Sequence, residues 1–172
     1  MFRRLSAVLL MVAAMVAALT MATIAPAGAA GASSGLEIRN TGSQLCLQPI
    51  DNSFELGAAI VQEPCNGTVI QAWTRTFNSD FTNRFVNQGT GLCLDARGGA
   101  TNGTPVQQWT CDSISNEKWA AANSLPAVTQ IVSRVSNTTS HCLDDPNGST
   151  EPRTAMQTFK CNTTSAQVWF VG

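Results

Sequence analysis

The chain has 172 residues, a formal net charge of −1 and only 12% charged side chains. Such a chain offers no excess of cations to a phosphate backbone, which sets nucleic acid aside as a partner, and its length argues for one domain. Beyond residue 29 lie all eleven acidic residues but only eight of the ten basic ones. That part is rich in Thr, Asn, Ser, Gln and Gly, which favours strands and turns over long helices.

In chain order, the first segment is a targeting signal by its pattern. Arg3 and Arg4 form a short positive region, residues 5–24 are almost wholly apolar, and the small run Ala25-Pro26-Ala27-Gly28-Ala29 follows. This order predicts a secretory signal peptide over residues 1–29, with cleavage after Ala27-Gly28-Ala29. A membrane anchor is the rival reading. The extreme N-terminal position and the small-residue end favour the signal. The Arg3-Arg4 pair lacks the rest of a twin-arginine motif. A secreted, extracellular protein with no membrane span is therefore expected, its single domain covering residues 35–172.

That domain repeats itself three times, over about residues 36–80, 81–126 and 127–172. The first copy opens on Leu36-Glu37-Ile38, turns at Thr41-Gly42-Ser43, and continues through Cys46-Leu47 and Cys65 to Gln71-Ala72-Trp73. The second opens on Arg84-Phe85-Val86, turns at Gln88-Gly89-Thr90, and runs through Cys93-Leu94 and Cys111 to Glu117-Lys118-Trp119. The third opens on Gln130-Ile131-Val132 and runs through Cys142-Leu143 and Cys161 to Gln167-Val168-Trp169. In every copy the Trp follows the second Cys by eight residues. Short apolar runs joined by Gly-containing turns read as strands. A period near 48 residues repeated three times signals a closed or stacked repeat architecture.

The six cysteines are spaced 19, 28, 18, 31 and 19 residues apart. Fifteen pairings are possible for six cysteines, and the alternation selects Cys46–Cys65, Cys93–Cys111 and Cys142–Cys161, one within each repeat. Each such bridge is worth about 3 kcal/mol by the chain-entropy account, and it suits an oxidising compartment. Metal binding is not expected: no two cysteines have CxxC spacing and His141 is the single histidine. Neither a cofactor motif nor a nucleophile–base pair around His141 is present, so the chain reads as non-catalytic. The sequons at Asn66, Asn102, Asn137, Asn147 and Asn162 read as products of a turn-rich composition, acceptors only where a glycosylation machinery exists.

Cys-Leu-Asp, Val-Gln-x-Trp-x-Cys and Asn-x-x-Trp together resemble the ricin-B-type lectin repeat with its Gln-x-Trp signature, over residues 36–172. The resemblance implies an all-β fold, the β-trefoil: three four-stranded units about a pseudo-threefold axis. It implies that Trp73, Trp119 and Trp169 pack in the centre of the fold as scaffold and do not stack on sugar. It also implies one shallow sugar pocket per repeat. Each pocket has a carboxylate after Cys-Leu to accept from sugar hydroxyls, an aromatic two residues before the second Cys, and an Asn three residues before the core Trp. A Gln after that Asn supports the carboxylate.

The second repeat fills this pattern best, with Asp95, Gln107, Trp109 and Asn116. It departs at Glu117, where the family usually has Gln; a second carboxylate beside Asp95 would be protonated, turn away or weaken the site. Asp95 could otherwise be a turn residue before Ala96-Arg97-Gly98-Gly99. The third repeat keeps Asp144, Gln157, Phe159 and Gln167 but has Ala166 at the Asn position. Phe159 is a flat face for sugar or a packed core ring, and Asp145-Pro146-Asn147-Gly148 reads as a turn. In the first repeat Gln48, Glu63 and Ile70 stand at the three key positions, so no binding is expected there.

The expected function is a secreted, non-catalytic carbohydrate-binding lectin. Galactose- or xylan-type sugars are the ligands the resemblance implies, as mono- or polysaccharide or glycoconjugate. The partners implied are carbohydrate and, through the company such modules keep, a separate enzyme or toxin chain. The alternative is a sugar-inert trefoil acting by protein contact, as an inhibitor or a subunit of a secreted complex.

Overall fold

The computed structural model describes residues 34–135 and 140–172. The signal-peptide reading of residues 1–29 and the Asn137 sequon lie outside the described residues.

Among the described residues thirteen strands follow the repeats. β1 (Leu36–Asn40), β2 (Cys46–Pro49), β3 (Ile60–Glu63) and β4 (Ala72–Phe77) belong to the first. β5 (Asn83–Asn87), β6 (Cys93–Ala96), β7 (Thr104–Trp109) and β8 (Trp119–Ala120) belong to the second. The third holds β9 (Ala127–Thr129), β10 (Val132–Ser133), β11 (His141–Asp144), β12 (Gln157–Lys160) and β13 (Trp169–Val171). The odd strand is half of another. Thr129 of β9 pairs with Trp169 as Leu36 pairs with Trp73 and Asn83 with Trp119. Val132 of β10 pairs with Cys142 as Arg39 pairs with Cys46 and Val86 with Cys93. β9 and β10 are thus two pieces of one strand, and the architecture is the β-trefoil that the sequence pattern implies.

The ring runs β1–β4–β5–β8–β10 through antiparallel pairs, and β13 joins β9 back to β1. Closure leaves the barrel strands no free edge. Hairpins β2–β3, β6–β7 and β11–β12 cap one end. Each hairpin loop leans on the next repeat. Gln108 Nε2 donates to Ser53 O and Glu55 O, Thr158 Oγ1 to Thr101 O, and Gln62 Nε2 to Ser149 O and Glu151 O. Gln62, Gln108 and Thr158 are completely buried, so these bonds offset the cost of enclosing polar groups while tying the three units into a cycle.

The core is stacked in threes. Ile38, Phe85 and Ile131 form one set, Leu47, Leu94 and Leu143 a second, and Ile60, Val106 and Met156 a third. Trp73, Trp119 and Trp169 are fully enclosed among them. Their Nε1 groups donate to Leu47 O (3.2 Å), Leu94 O (2.9 Å) and Leu143 O (3.0 Å). An indole buried with its N–H satisfied adds packing area without an orphaned donor. Truncating any one of them to Ala would cost about 3–5 kcal/mol. The disulfides are Cys46–Cys65, Cys93–Cys111 and Cys142–Cys161, with Cα–Cα distances of 5.1, 5.2 and 5.0 Å. This is the pairing that the alternating spacing selects. Each ties the start of a repeat's second strand to the segment beyond its third.

Candidate functional site

Each repeat carries the same polar frame beside its hairpin cap. A single 3-10 turn just before the core Trp, at Val69–Gln71, Ser115–Glu117 or Ser165–Gln167, ends on a buried side chain. The oxygen of that side chain accepts from the backbone four to five residues upstream. Asn66 N reaches Gln71 Oε1 at 2.8 Å, Asp112 N reaches Glu117 Oε1 at 2.7 Å, and Asn162 N reaches Gln167 Oε1 at 2.7 Å. The upstream segment is itself an Asx turn. Asn66, Asp112 and Asn162 each accept from the amide two residues on. Two of the sequons, at Asn66 and Asn162, are therefore structural turns.

In the third repeat the frame is complete. Gln167 Nε2 donates to Asp144 Oδ1 at 2.9 Å, and Gln157 Nε2 donates to Asp144 Oδ2 at 2.7 Å. The two amides fix the carboxylate plane and leave lone pairs for a ligand. Asp144, Asn147, Gly148, Gln157 and Phe159 lie around a cleft of about 450 Å³ together with the turn at Ser165 and Ala166. Phe159 is 38% exposed, so its ring is a surface platform and not a core ring. The turn at Asp145–Gly148 does more than reverse the chain. It places Asn147 and Gly148 in the cleft lining together with Ala166, and a Cβ on Gly148 would lie 3.9 Å from Ala166 Cβ. The sequence showed an Asn missing at 166; it gave no sign that a different Asn lines the same cleft.

The second repeat gathers its expected residues as well. Asp95, Gln107, Trp109 and Asn116 line a cleft of about 310 Å³ with Arg97, Gly98 and Ile114. Gln107 Nε2 donates to Asp95 Oδ1 at 2.8 Å, and Trp109 is 36% exposed. Gly57, from the first repeat's hairpin loop, backs the platform; a Cβ there would lie 3.6 Å from Trp109 Cζ3. The frame differs in one respect. Glu117 is fully enclosed and its carboxylate accepts from the Asp112 and Ser113 amides. Its Oε2 lies 3.0 Å from Arg84 Nε. Glu117 therefore supplies no amide donor to Asp95, and Asp95 Oδ2 is buried without a hydrogen-bond partner. Burial raises the pKa of Asp95, the Gln107 amide opposes the rise, and Asp112 adds to it. Burial also raises that of Glu117, against the Asp112 and Ser113 amides and the Arg84 guanidinium.

Arg84 has no analogue in the other copies. By register its counterparts are Glu37 and Gln130. The Gln-to-Glu departure at 117 is thus matched by a cation at 84, a pairing of positions 33 residues apart that the sequence reading did not find.

The first repeat is closed on itself. Gln48, at the carboxylate position, accepts from Gln71 Nε2 at 2.7 Å and donates to Asn52 Oδ1 at 3.0 Å. Val61 and Ile70 fill the places of Gln107 and Asn116 and are buried.

The family described as ricin-type beta-trefoil lectin domain matches residues 34–134. Among solved structures the chain is similar to a designed threefold-symmetric protein, ThreeFoil (TM-score 0.72, 21% identity, 79% of this chain and 96% of that one). It is also similar to the Macrolepiota procera ricin B-like lectin in complex with lactose (TM-score 0.64, 20% identity, 81% and 95%). A third is an exo-beta-1,3-galactanase from Clostridium thermocellum (TM-score 0.73, 23% identity), of which this chain spans 30% against 81% of its own length. At such identities the likeness establishes the fold alone. No curated protein matches the sequence.

Proposed function

Because the chain belongs to the ricin-type beta-trefoil lectin family, we propose that it is a secreted, non-catalytic carbohydrate-binding protein that uses its second and third repeats. The observation that carries this reading is the pair of clefts in which a buried carboxylate, Asp95 or Asp144, lies beside an exposed ring, Trp109 or Phe159. Such a carboxylate accepts from two neighbouring hydroxyls while the ring covers the apolar C–H face of the sugar.

The two sites divide their strengths. The second has the broader indole and the free amide of Asn116, with a carboxylate held by one donor. The third has a carboxylate held by two donors, a smaller ring, and Asn147 to supply the donor and acceptor that Ala166 lacks. Galactose- or xylan-type sugars remain the ligand classes proposed. The lactose complex of the Macrolepiota procera lectin favours the galactose side. Each shallow site alone binds weakly, so two sites on one chain act together on a polymer or a glycan-coated surface.

The test is a glycan array with the chain from residue 30 onward and with Asp95→Ala, Asp144→Ala and the double variant. Partial loss in each single variant and complete loss in the double is expected. An array dark for the unmodified protein would overturn the reading and leave a trefoil that acts by protein contact.

A further inference from the structure

The second cleft contains one group that the other two repeats do not offer. Arg97 lines it, two residues beyond Asp95. Its register counterparts are Ile50 in the first repeat and Pro146 in the third, so the cation belongs to this cleft alone. Arg97 is exposed and makes no ion pair among the described residues, whereas the four pairs that do form engage Arg39, Arg84, Lys118 and Arg153. Its backbone is held, the Arg97 amide donating to Pro105 O at 3.0 Å.

The same cleft holds the opposite need at its floor. Asp95 is 1% exposed, and its Oδ2 has no partner. The cleft therefore presents a carboxylate acceptor, Asp95, and an unpaired planar donor, Arg97, with the Trp109 ring beside them. A neutral sugar satisfies only the first. A saccharide with hydroxyls for Asp95 and an anionic substituent for the guanidinium satisfies both, and the fork of an arginine suits a carboxylate or a sulfate ester.

We propose that the second-repeat cleft selects anionic saccharides, the sugar hydroxyls donating to Asp95 while Arg97 pairs with a carboxylate or sulfate on the same or the adjoining residue. This rests on the reading of that cleft as a sugar site. The chain as a whole is acidic, so its overall charge does not attract such ligands; the selectivity is local to Arg97.

The test is titration calorimetry in an Asp144→Ala background, which silences the third site. The probes are galacturonic acid oligomers, 6-sulfated galactosides and neutral galactosides. An anionic ligand is expected to bind about tenfold more tightly than its neutral counterpart, an advantage of one charge-assisted contact. The advantage should shrink with added salt. Arg97→Gln should remove it, so that the ratio of anionic to neutral affinity falls to about one. Whichever anionic probe leads identifies carboxylate or sulfate as the group taken. Equal or tighter binding of the neutral ligand, or an anionic advantage that survives Arg97→Gln, overturns the proposal. Adding Asp95→Ala separates this from the site assignment. If that variant loses all binding while Arg97→Gln changes nothing, the cleft stands and its selectivity falls. If Asp95→Ala leaves anionic binding intact, the cleft assignment falls with it.

Discussion

Arg84 Nε lies 3.0 Å from Glu117 Oε2, with the carboxylate fully enclosed and the arginine side chain 19% exposed. The corresponding positions in the other repeats hold Glu37 with Gln71 and Gln130 with Gln167, so the second repeat alone replaces a neutral amide by a charge and brings a cation to meet it. Removing one partner of such a pair leaves a buried charge uncompensated, which costs far more than the pair contributes. Arg84→Ala should therefore lower stability by about 3 kcal/mol, read by urea denaturation at pH 7. Adding Glu117→Gln should return most of the loss, because a neutral amide needs no counter-ion. A double variant as unstable as Arg84→Ala would show that Arg84 acts by packing alone.

Glu117→Gln also bears on the cleft. In the third repeat Gln167 donates to Asp144 from the equivalent position. A Gln at 117 can donate in the same way to Asp95 Oδ2, orienting the carboxylate and favouring its charged form. Sugar affinity of the second repeat should rise by several-fold, measured by calorimetry in the Asp144→Ala background. Unchanged affinity would show that Asp95 does not require the second donor.

Asp145 is fully buried, its two carboxylate oxygens have no hydrogen-bond partner, and its place in the first two repeats is taken by Pro49 and Ala96. Burial, then the neighbouring Asp144 charge, pushes its pKa up to about 7, with the Ser149 amide pulling the other way. In the unfolded chain the group ionises near its ordinary value of 3.8. Between those values the folded state holds the extra proton, so this residue makes stability fall as pH rises from about 4 to 7. Asp145→Asn should raise the Tm above pH 7, by a stability gain on the order of a few kcal/mol. The gain should vanish near pH 4. Calorimetric scans at both pH values check the sign; an equal gain at both would point to packing and not to charge.

The three disulfides each span 18 or 19 residues. Loops of that size correspond to about 3 kcal/mol per bridge. Reduction of all three should lower the Tm sharply, and serine replacement of one pair should cost roughly a third of the total. A Tm unchanged after verified reduction would mean that the ring of inter-repeat contacts holds the fold by itself.

Much of this was legible in the order of residues. Three copies of Cys…Cys…Trp identified the repeat and the disulfide pairing, because each is a local feature that recurs at a constant spacing, and the family resemblance they carry implied the enclosed indoles. The departures of the first repeat were also legible, since Gln48, Glu63 and Ile70 stand at its three key positions. Three features were not. Asn147 reads as a turn residue, and only the fold of that turn brings it into the cleft lining with Ala166. Glu117 reads as a carboxylate that is protonated, turned away or weakening to the site until Arg84, from the first strand of the same repeat, is seen beside it. Arg97 reads as one charge in a Gly-rich turn until the cleft brings it together with Asp95 and Trp109.

The sequence by itself thus determined the scaffold: spacing along the chain selects which cysteines close a loop, and the resemblance carried by the recurring Trp implies its core position. Only the tertiary structure decided how the variable residues combine into sites. Those combinations join strands, turns and neighbouring repeats that are distant in the chain, and the balance of charge and hydrogen bonding depends on distances in space that no spacing in the sequence encodes.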